Sequence, residues 1–174
     1  VRARFVLLRD LGSALSPTNA FNFIQGLETL PIRFRQHQEN AEKVAEFLTN
    51  KKNVIKVIHP KYQQGIYKER ADKYLENGNG PLVGFELDGG IEAGKEFIDN
   101  LNLIYHVANI GDARTLAIHP ASTTHSQLST EDKLRAGVTP GYIRLSIGIE
   151  HVDDIINDID QALDKAQKKV KNVA

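Results

Sequence analysis

Arg144 is the residue whose type and place could do the most chemistry. It stands in segment 142–149, where Ile143, Leu145, Ile147 and Ile149 alternate with Tyr142, Arg144, Ser146 and Gly148. Alternation of period two puts the first set on one face of a strand and the second on the other. A guanidinium on a sheet is costly unless it is paired, and its planar fork suits a carboxylate bidentately. Two readings stand side by side: an arginine that receives a carboxylate ligand, and an arginine at a sheet margin paired to Glu150 or Asp112. The stretch 107–115 adds to the first. Asn109, Gly111 and Asp112 predict a tight turn after a strand, where backbone amides and an amide side chain could face a ligand.

Other candidates are weaker. Gly89, Gly94 and Lys95 have the spacing of a phosphate-binding loop, but the next position needs a hydroxyl and holds Glu96, whose charge repels phosphate. A strand-to-helix turn is the better reading there. Of the six histidines, His119 and His125 lie six apart across Pro120, a spacing that matches no zinc motif, and no acid lies between them. Histidines bonded within a loop are expected, and no metal site. Ser13 and Ser146 lack the flanking glycines of a nucleophile elbow. The absence of Cys excludes disulfides, thiolate metal sites and a cysteine nucleophile.

These residues need a scaffold, and 174 residues are enough for one domain of ordinary size. Lys plus Arg number 22 and Asp plus Glu 22, a balance without the basic excess of a nucleic-acid or anionic-membrane binder. No window approaches a membrane span and no targeting signal is visible, so the expected compartment is the cytoplasm. The chain starts at Val1 and contains no Met, which reads as a piece of a longer chain.

Segment 1–16 reads as a connector. Ser16 and Pro17 then open a long helix, with Ser16 as the cap and Pro17 at the first helical position. Phe21, Ile24, Leu27 and Leu30 follow at three-residue spacing, Pro31 predicts a kink or break, and Ala41, Val44, Ala45 and Leu48 resume an apolar stripe. Strands are expected over 54–58, 82–87, 103–110, 115–118 and 142–149. Helices are expected over 67–75, 91–101, from Ser129, and from Val152 into a Lys-rich frayed end beyond Lys165. The sum is an α/β sandwich: a mostly antiparallel sheet with helices packed on it, preceded by a long helix. The pattern does not yield the strand order.

Longer motifs then become recognisable. Ala108-Asn109-Ile110-Gly111-Asp112, Ile118-His119-Pro120-Ala121-Ser122, Gly137-Val138-Thr139-Pro140 and Ile143-Arg144-Leu145-Ser146-Ile147-Gly148 resemble the C-terminal domain of the Cys/Met-metabolism family of pyridoxal-phosphate enzymes. Leu15-Ser16-Pro17, Asn19-Ala20-Phe21 and Gly26-Leu27-Glu28 resemble the family's entry into that domain. Within the family, Asn109, the run from Thr123 to Gln127 and Gly137–Pro140 resemble the O-acetylhomoserine sulfhydrylase branch. Methionine γ-lyase, cystathionine γ-synthase and the cystathionine lyases remain alternatives.

The resemblance implies the small C-terminal domain of a fold-type I pyridoxal-phosphate transferase, with 17–174 as the domain that binds the substrate carboxylate. It implies three substrate-binding residues: Arg144, which grips the α-carboxylate, Asn109, which assists it, and Thr115, which keeps the hydroxyl of a position where relatives often carry Ser. It implies pyridoxal phosphate as cofactor, an electron sink for a carbanion, with O-acetylhomoserine and sulfide as substrates and homocysteine as product. The lysine that bears the cofactor lies in the family's N-terminal domain, so no catalytic residue is expected in this segment, and no cofactor bound to it alone. The implied partners are that N-terminal domain and further copies in a dimer or tetramer. A rival of another class is a free-standing amino-acid-binding or assembly module.

Overall fold

The computed structural model describes residues 1–173, with side chains through Lys169. It divides into two compact units, Val1–Arg33 and the chain from Phe34 onward.

In the first unit the expected connector is wound as helix. Ala3–Leu8 is π-helical and runs into α1 (Arg9–Leu11), which stops at Gly12 in the left-handed region, φ +67°. No breaker stands before Gly12, so the backbone pairs locally, and the Gly12 N–H closes on the Leu8 carbonyl at 2.9 Å. Helix α2 (Pro17–Glu28) begins as the sequence predicts: the Ser16 hydroxyl accepts from the Asn19 N–H at 3.2 Å. The predicted break falls at Thr29, and α3 (Leu30–Thr49) starts at once with Pro31 in its first turn. None of the α2 residues is buried.

In the second unit His37, Asn40, Ala41, Val44, Ala45 and Leu48 form the buried stripe of α3. Next come β1 (Val54–Ile58), α4 (Ile66–Tyr74), β2 (Leu82–Leu87), α5 (Gly90–Asp99), β3 (Tyr105–His106), β4 (Leu116–Ile118), α6 (Thr130–Arg135), β5 (Tyr142–Ser146) and α7 (Val152–Val173). The five strands form one sheet in the order β1-β2-β5-β4-β3, antiparallel except for the β3–β4 pair. The fold is the mixed α/β class that the sequence predicts. Register pairs Val83 with Leu145 and Phe85 with Ile143, so these side chains share a face. They belong to one buried cluster with Val44 and Leu48 of α3, Phe97 of α5, and Ile155, Ile159 and Leu163 of α7. Phe85 and Phe97 pack edge to face, with their ring centroids 5.4 Å apart.

Three expectations need correction. The strand over 103–110 shrinks to Tyr105–His106, because beyond the Val107 N–H, which bonds the Ala117 carbonyl at 3.1 Å, the chain leaves the ladder to meet side chains of β5. The strand over 142–149 ends at Ser146, because the next carbonyls turn to α3: the His37 ring bonds Ile147 O, and Asn40 Nδ2 donates to Gly148 O. The Lys-rich end of α7 stays helical through Val173: Ala166 is buried, and Lys169 pairs with Glu96 of α5. The last predicted residue, Ala174, lies outside the described residues.

Candidate functional site: an arginine without a carboxylate

Arg144 lies mid-way along β5, in one cross-sheet row with Ile58, Gly84 and Ile118. Its Nη2 donates to the Ala108 carbonyl at 2.8 Å and lies 3.5 Å from the Asn109 carbonyl. The structure therefore brings together the two stretches singled out by sequence. Neither acid proposed as a partner takes up the guanidinium. Asp112 Oδ1 accepts from the Arg114 N–H at 3.0 Å. Glu150 turns to Thr115, with Oε1 accepting from the Thr115 N–H at 2.6 Å and Oε2 from its hydroxyl at 2.8 Å. Among the described residues Arg144 is in no ion pair. Its Nε is buried with no hydrogen-bond partner among the described residues.

Around Arg144 lies a cavity of about 740 Å³, walled by Lys56, Ile58, Leu82, Gly84 and Tyr142 on the sheet and by Tyr67, Arg70 and Tyr74 of α4. No carboxylate lines it. Gly84 makes the room: a Cβ there would meet the Tyr142 ring at 2.8 Å. Burial pushes the Tyr142 hydroxyl above its usual pKa, and the charge of Arg144 works against that shift. His59 lines the same cavity, almost fully buried, with an unpartnered Nε2. Burial holds its pKa below the usual value, opposed by Glu42 and reinforced by Lys61.

Asn109 is exposed, on the loop whose carbonyls seat Arg144. Thr115 is placed differently. It has no exposed surface, its hydroxyl donates to Glu150, and it accepts from the Gly148 N–H at 2.9 Å. A direct contact with a ligand is closed to this hydroxyl.

The decoys resolve as local structure. Gly89 (φ +96°) and Gly90 (φ +61°) make the turn from β2 into α5. His119 is buried, with Nδ1 on the Ser122 hydroxyl and Nε2 on the Pro140 carbonyl, each at 2.8 Å. Ser146 accepts from the Gly111 N–H at 3.0 Å. No group of three or more potential metal ligands converges among the described residues. No described helix is long and apolar enough to cross a membrane.

Sequence reasoning missed two groups that shape the site. His37 and Asn40 of α3 bond the carbonyls of Ile147, Gly148 and Glu150 just beyond β5. His37 continues the stripe of Ala41, Val44 and Leu48 one turn earlier, and that was the signal: a histidine on a buried stripe must have a partner. The Glu150–Thr115 clasp gives no such sign, because its partners lie 35 residues apart.

Comparison with known proteins follows the same lines. The family model described as "Cys/Met metabolism PLP-dependent enzyme" matches residues 2–164. The chain is 51% identical over 164 residues to O-acetyl-L-homoserine sulfhydrylase of Leptospira meyeri, covering 94% of this chain and 37% of that protein. It is 47% identical to O-acetyl-L-homoserine sulfhydrylase 1 of Thermus thermophilus, covering 94% of this chain and 39% of that protein. L-methionine gamma-lyase of Fusobacterium nucleatum is 42% identical, with 93% of this chain and 41% of the relative covered. A crystal structure from Campylobacter jejuni, named as an O-acetylhomoserine (thiol)-lyase with a pyridoxyl-lysine monophosphate at its position 205, superposes with a TM-score of 0.85 at 44% identity, covering 94% of this chain and 39% of that one. The chain thus spans less than half the length of these relatives. Its sequence, sheet and helices place it in one group: the chain belongs to the Cys/Met-metabolism family of pyridoxal-phosphate-dependent enzymes.

Proposed function

We propose that this chain is the part of an O-acetylhomoserine sulfhydrylase that binds the substrate's α-carboxylate, in a longer protein that makes homocysteine from O-acetylhomoserine and sulfide. One observation carries the reading: Arg144 is seated by backbone carbonyls, keeps a buried Nε without an acceptor, and faces a cavity with no carboxylate. A bound carboxylate supplies the missing acceptor. Asn109, exposed on the adjoining loop, assists with its side-chain amide, and Thr115 acts through Glu150 rather than by touching the ligand. Holding the carboxylate fixes the orientation of the substrate Cα, a positional contribution to rate.

Pyridoxal phosphate supplies an electron sink when bound. On our reading no lysine of this chain bears it; the lysines with described side chains keep exposed surface, and several are in surface ion pairs, as Lys51 is with Asp160 and Lys95 with Glu92. On this reading the cofactor-bearing lysine belongs to an N-terminal domain, which is also the first partner of this chain, and the complete protein is a cytoplasmic homo-oligomer. The exposed Phe21, Phe23, Ile24 and Leu27 of α2 support a covered surface there. The sulfhydrylase names of the relatives at 51% and 47% identity favour replacement by sulfide, and the methionine lyase at 42% keeps γ-elimination as the second reading.

The test is Arg144→Lys in the longer protein. Lysine keeps the charge and loses the fork, so KM for O-acetylhomoserine should rise about tenfold or more, with a smaller change in kcat. Unchanged kinetics would remove Arg144 from the site. Calorimetry on the 174-residue chain addresses the rival module: saturable binding of O-acetylhomoserine or homocysteine by the chain alone would support a free-standing binding protein.

A further inference from the structure

We propose that Glu150 is a positioning residue for Arg144: its carboxylate holds the loop of residues 107–115 at the height where the Ala108 and Asn109 carbonyls seat the guanidinium. The inference rests on the carboxylate-binding reading of Arg144 given above. Residues 108–112 lie outside the sheet ladder, so other bonds must set their height. Three tethers tie the loop to β5 and its exit. The Gly111 N–H donates to the Ser146 hydroxyl at 3.0 Å, and the Ile149 N–H donates to the Ala113 carbonyl at 2.9 Å. The third is the clasp of Glu150 on the Thr115 N–H and hydroxyl, closed by the Gly148 N–H on the same hydroxyl at 2.9 Å.

The third tether differs from the others in kind. It is charge-assisted, and bonds of that kind are roughly twice as strong as neutral ones. It is also anchored from behind. Asn40 Nδ2 donates to the Gly148 and Glu150 carbonyls at 3.0 and 2.9 Å, and the His37 ring bonds the Ile147 carbonyl at 2.6 Å, so α3 fixes the backbone from which Glu150 projects. Gly148 leaves the space for this arrangement, since a Cβ there would fall on the Glu150 carboxylate and on the Ala113 carbonyl.

The sheet does not depend on the clasp for its register. Leu116, Ala117 and Ile118 already pair with Ser146, Leu145 and Arg144. What the clasp adds is control of the loop beyond the ladder, where the seat of Arg144 lies. It also keeps the Glu150 carboxylate engaged with Thr115, leaving Arg144 open to a ligand carboxylate.

The experiment uses the longer protein and O-acetyl-L-homoserine as probe, with Glu150→Ala, Thr115→Val, Thr115→Ser and Arg144→Lys assayed in parallel. Glu150→Ala and Thr115→Val should raise KM about three- to tenfold while kcat changes less than twofold, the signature of lost ligand positioning. Thr115→Ser keeps the hydroxyl and should stay within about twofold of the parent. A purely structural role would lower the active fraction, reducing apparent kcat with KM unmoved, and that result overturns the proposal. If Arg144→Lys raises KM and the clasp variants do not, positioning by Glu150 is refuted while the carboxylate reading stands. If Arg144→Lys leaves KM unchanged, both fall. Should Glu150→Ala fail to fold, the pair at position 115 decides, and equal KM values for Val and Ser overturn the proposal.

Discussion

His119 sits with both ring nitrogens engaged and no surface in water. A carbonyl can only accept, so Nε2 carries the proton toward Pro140, and Nδ1 accepts from the Ser122 hydroxyl. Burial is the largest influence on its pKa and holds it below the usual 6.5, with the Pro140 bond working the other way and Lys95 and His106 adding to the depression. His59 is shifted in the same direction, also chiefly by burial. As pH falls through 6.5 the unfolded chain therefore takes up these protons before the folded one does. Stability rises with pH wherever the unfolded state binds more protons, so this contribution is complete above pH 6.5 and is lost progressively below it. Carboxylates such as Glu92, held below its usual 4.5 by the hydrogen bond from Lys95, titrate at lower pH and stay out of this window. Thermal melts between pH 7.5 and 5 should show a falling Tm, and the double variant His59→Gln with His119→Gln should flatten the slope. A Tm independent of pH in the parent chain would refute the assignment. Gly94 belongs to the same story. Sequence reasoning noticed it as part of a phosphate-loop spacing, whereas a Cβ at that position would meet the His119 ring at 2.5 Å. A spacing motif can be counted along the chain, but a glycine kept small for a ring 25 positions away cannot. Arg144 was legible because a cation breaks an alternation that is otherwise apolar and small. Its lack of an acidic partner was not, since Glu150 and Asp112 both lay within reach of a guess and only their contacts sort them.

At the scale of elements, α7 shows how a helix fixes a loop it does not touch in sequence. Asp158 is nearly buried on the same side as Ile155, Ile159 and Leu163. Its Oδ1 accepts from the Asn102 N–H at 2.9 Å, and Oδ2 accepts from the N–H groups of Leu103 at 2.9 Å and Ile104 at 3.0 Å. One carboxylate thus satisfies three successive amides between α5 and β3, and Gln161 bonds the Asn100 carbonyl at 2.5 Å beside it. Removing it in Asp158→Ala strands those donors, at a cost of about 2–4 kcal/mol. For a chain of this size that is a fall in Tm of about 4–16 °C, measurable by calorimetry, and Asp158→Glu should recover only part of it because the longer side chain displaces the carboxylate. A Tm within a degree of the parent for Asp158→Ala would show that water replaces the carboxylate without loss. The elements themselves were readable wherever periodicity was strong. Val44 and Leu48, Val83 and Phe85, Ile143 and Leu145, and Ile155 and Ile159 are core residues of helices and strands expected from their spacing. Periodicity failed at ends held by side chains from elsewhere. Val107 and Ile110 are β-branched and suggest a longer strand, yet beyond Val107 the chain leaves the ladder because Arg144 and Ser146 capture the backbone at Ala108 and Gly111.

At the scale of the molecule, the two units differ in what they bury. The sheet unit from Phe34 onward has its own closed cluster, joining α3, α5 and α7 to one face of the sheet. In Val1–Arg33 the large apolar side chains stay in water: Phe21 is 59% exposed, Phe23 63%, Ile24 55% and Leu27 62%. Scattered apolar residues on a surface need no explanation, but four within two turns of one helix form a patch of the kind that marks an interaction surface. On the proposed function, the rest of the longer protein covers this face, consistent with a chain that spans 37% of the Leptospira meyeri relative. The 174-residue chain by itself should then bind a hydrophobic reporter dye at neutral pH while still melting cooperatively, because the core of the sheet unit does not draw on α2. Replacing Phe21, Phe23 and Leu27 by Gln should remove most of the dye signal and leave Tm unchanged. The alternative origin of such a signal is a loosened core, as in a compact state with fluctuating packing. That origin predicts a dye signal indifferent to the three substitutions and a melt without cooperativity, and either result would refute the assignment of the exposed surface to α2.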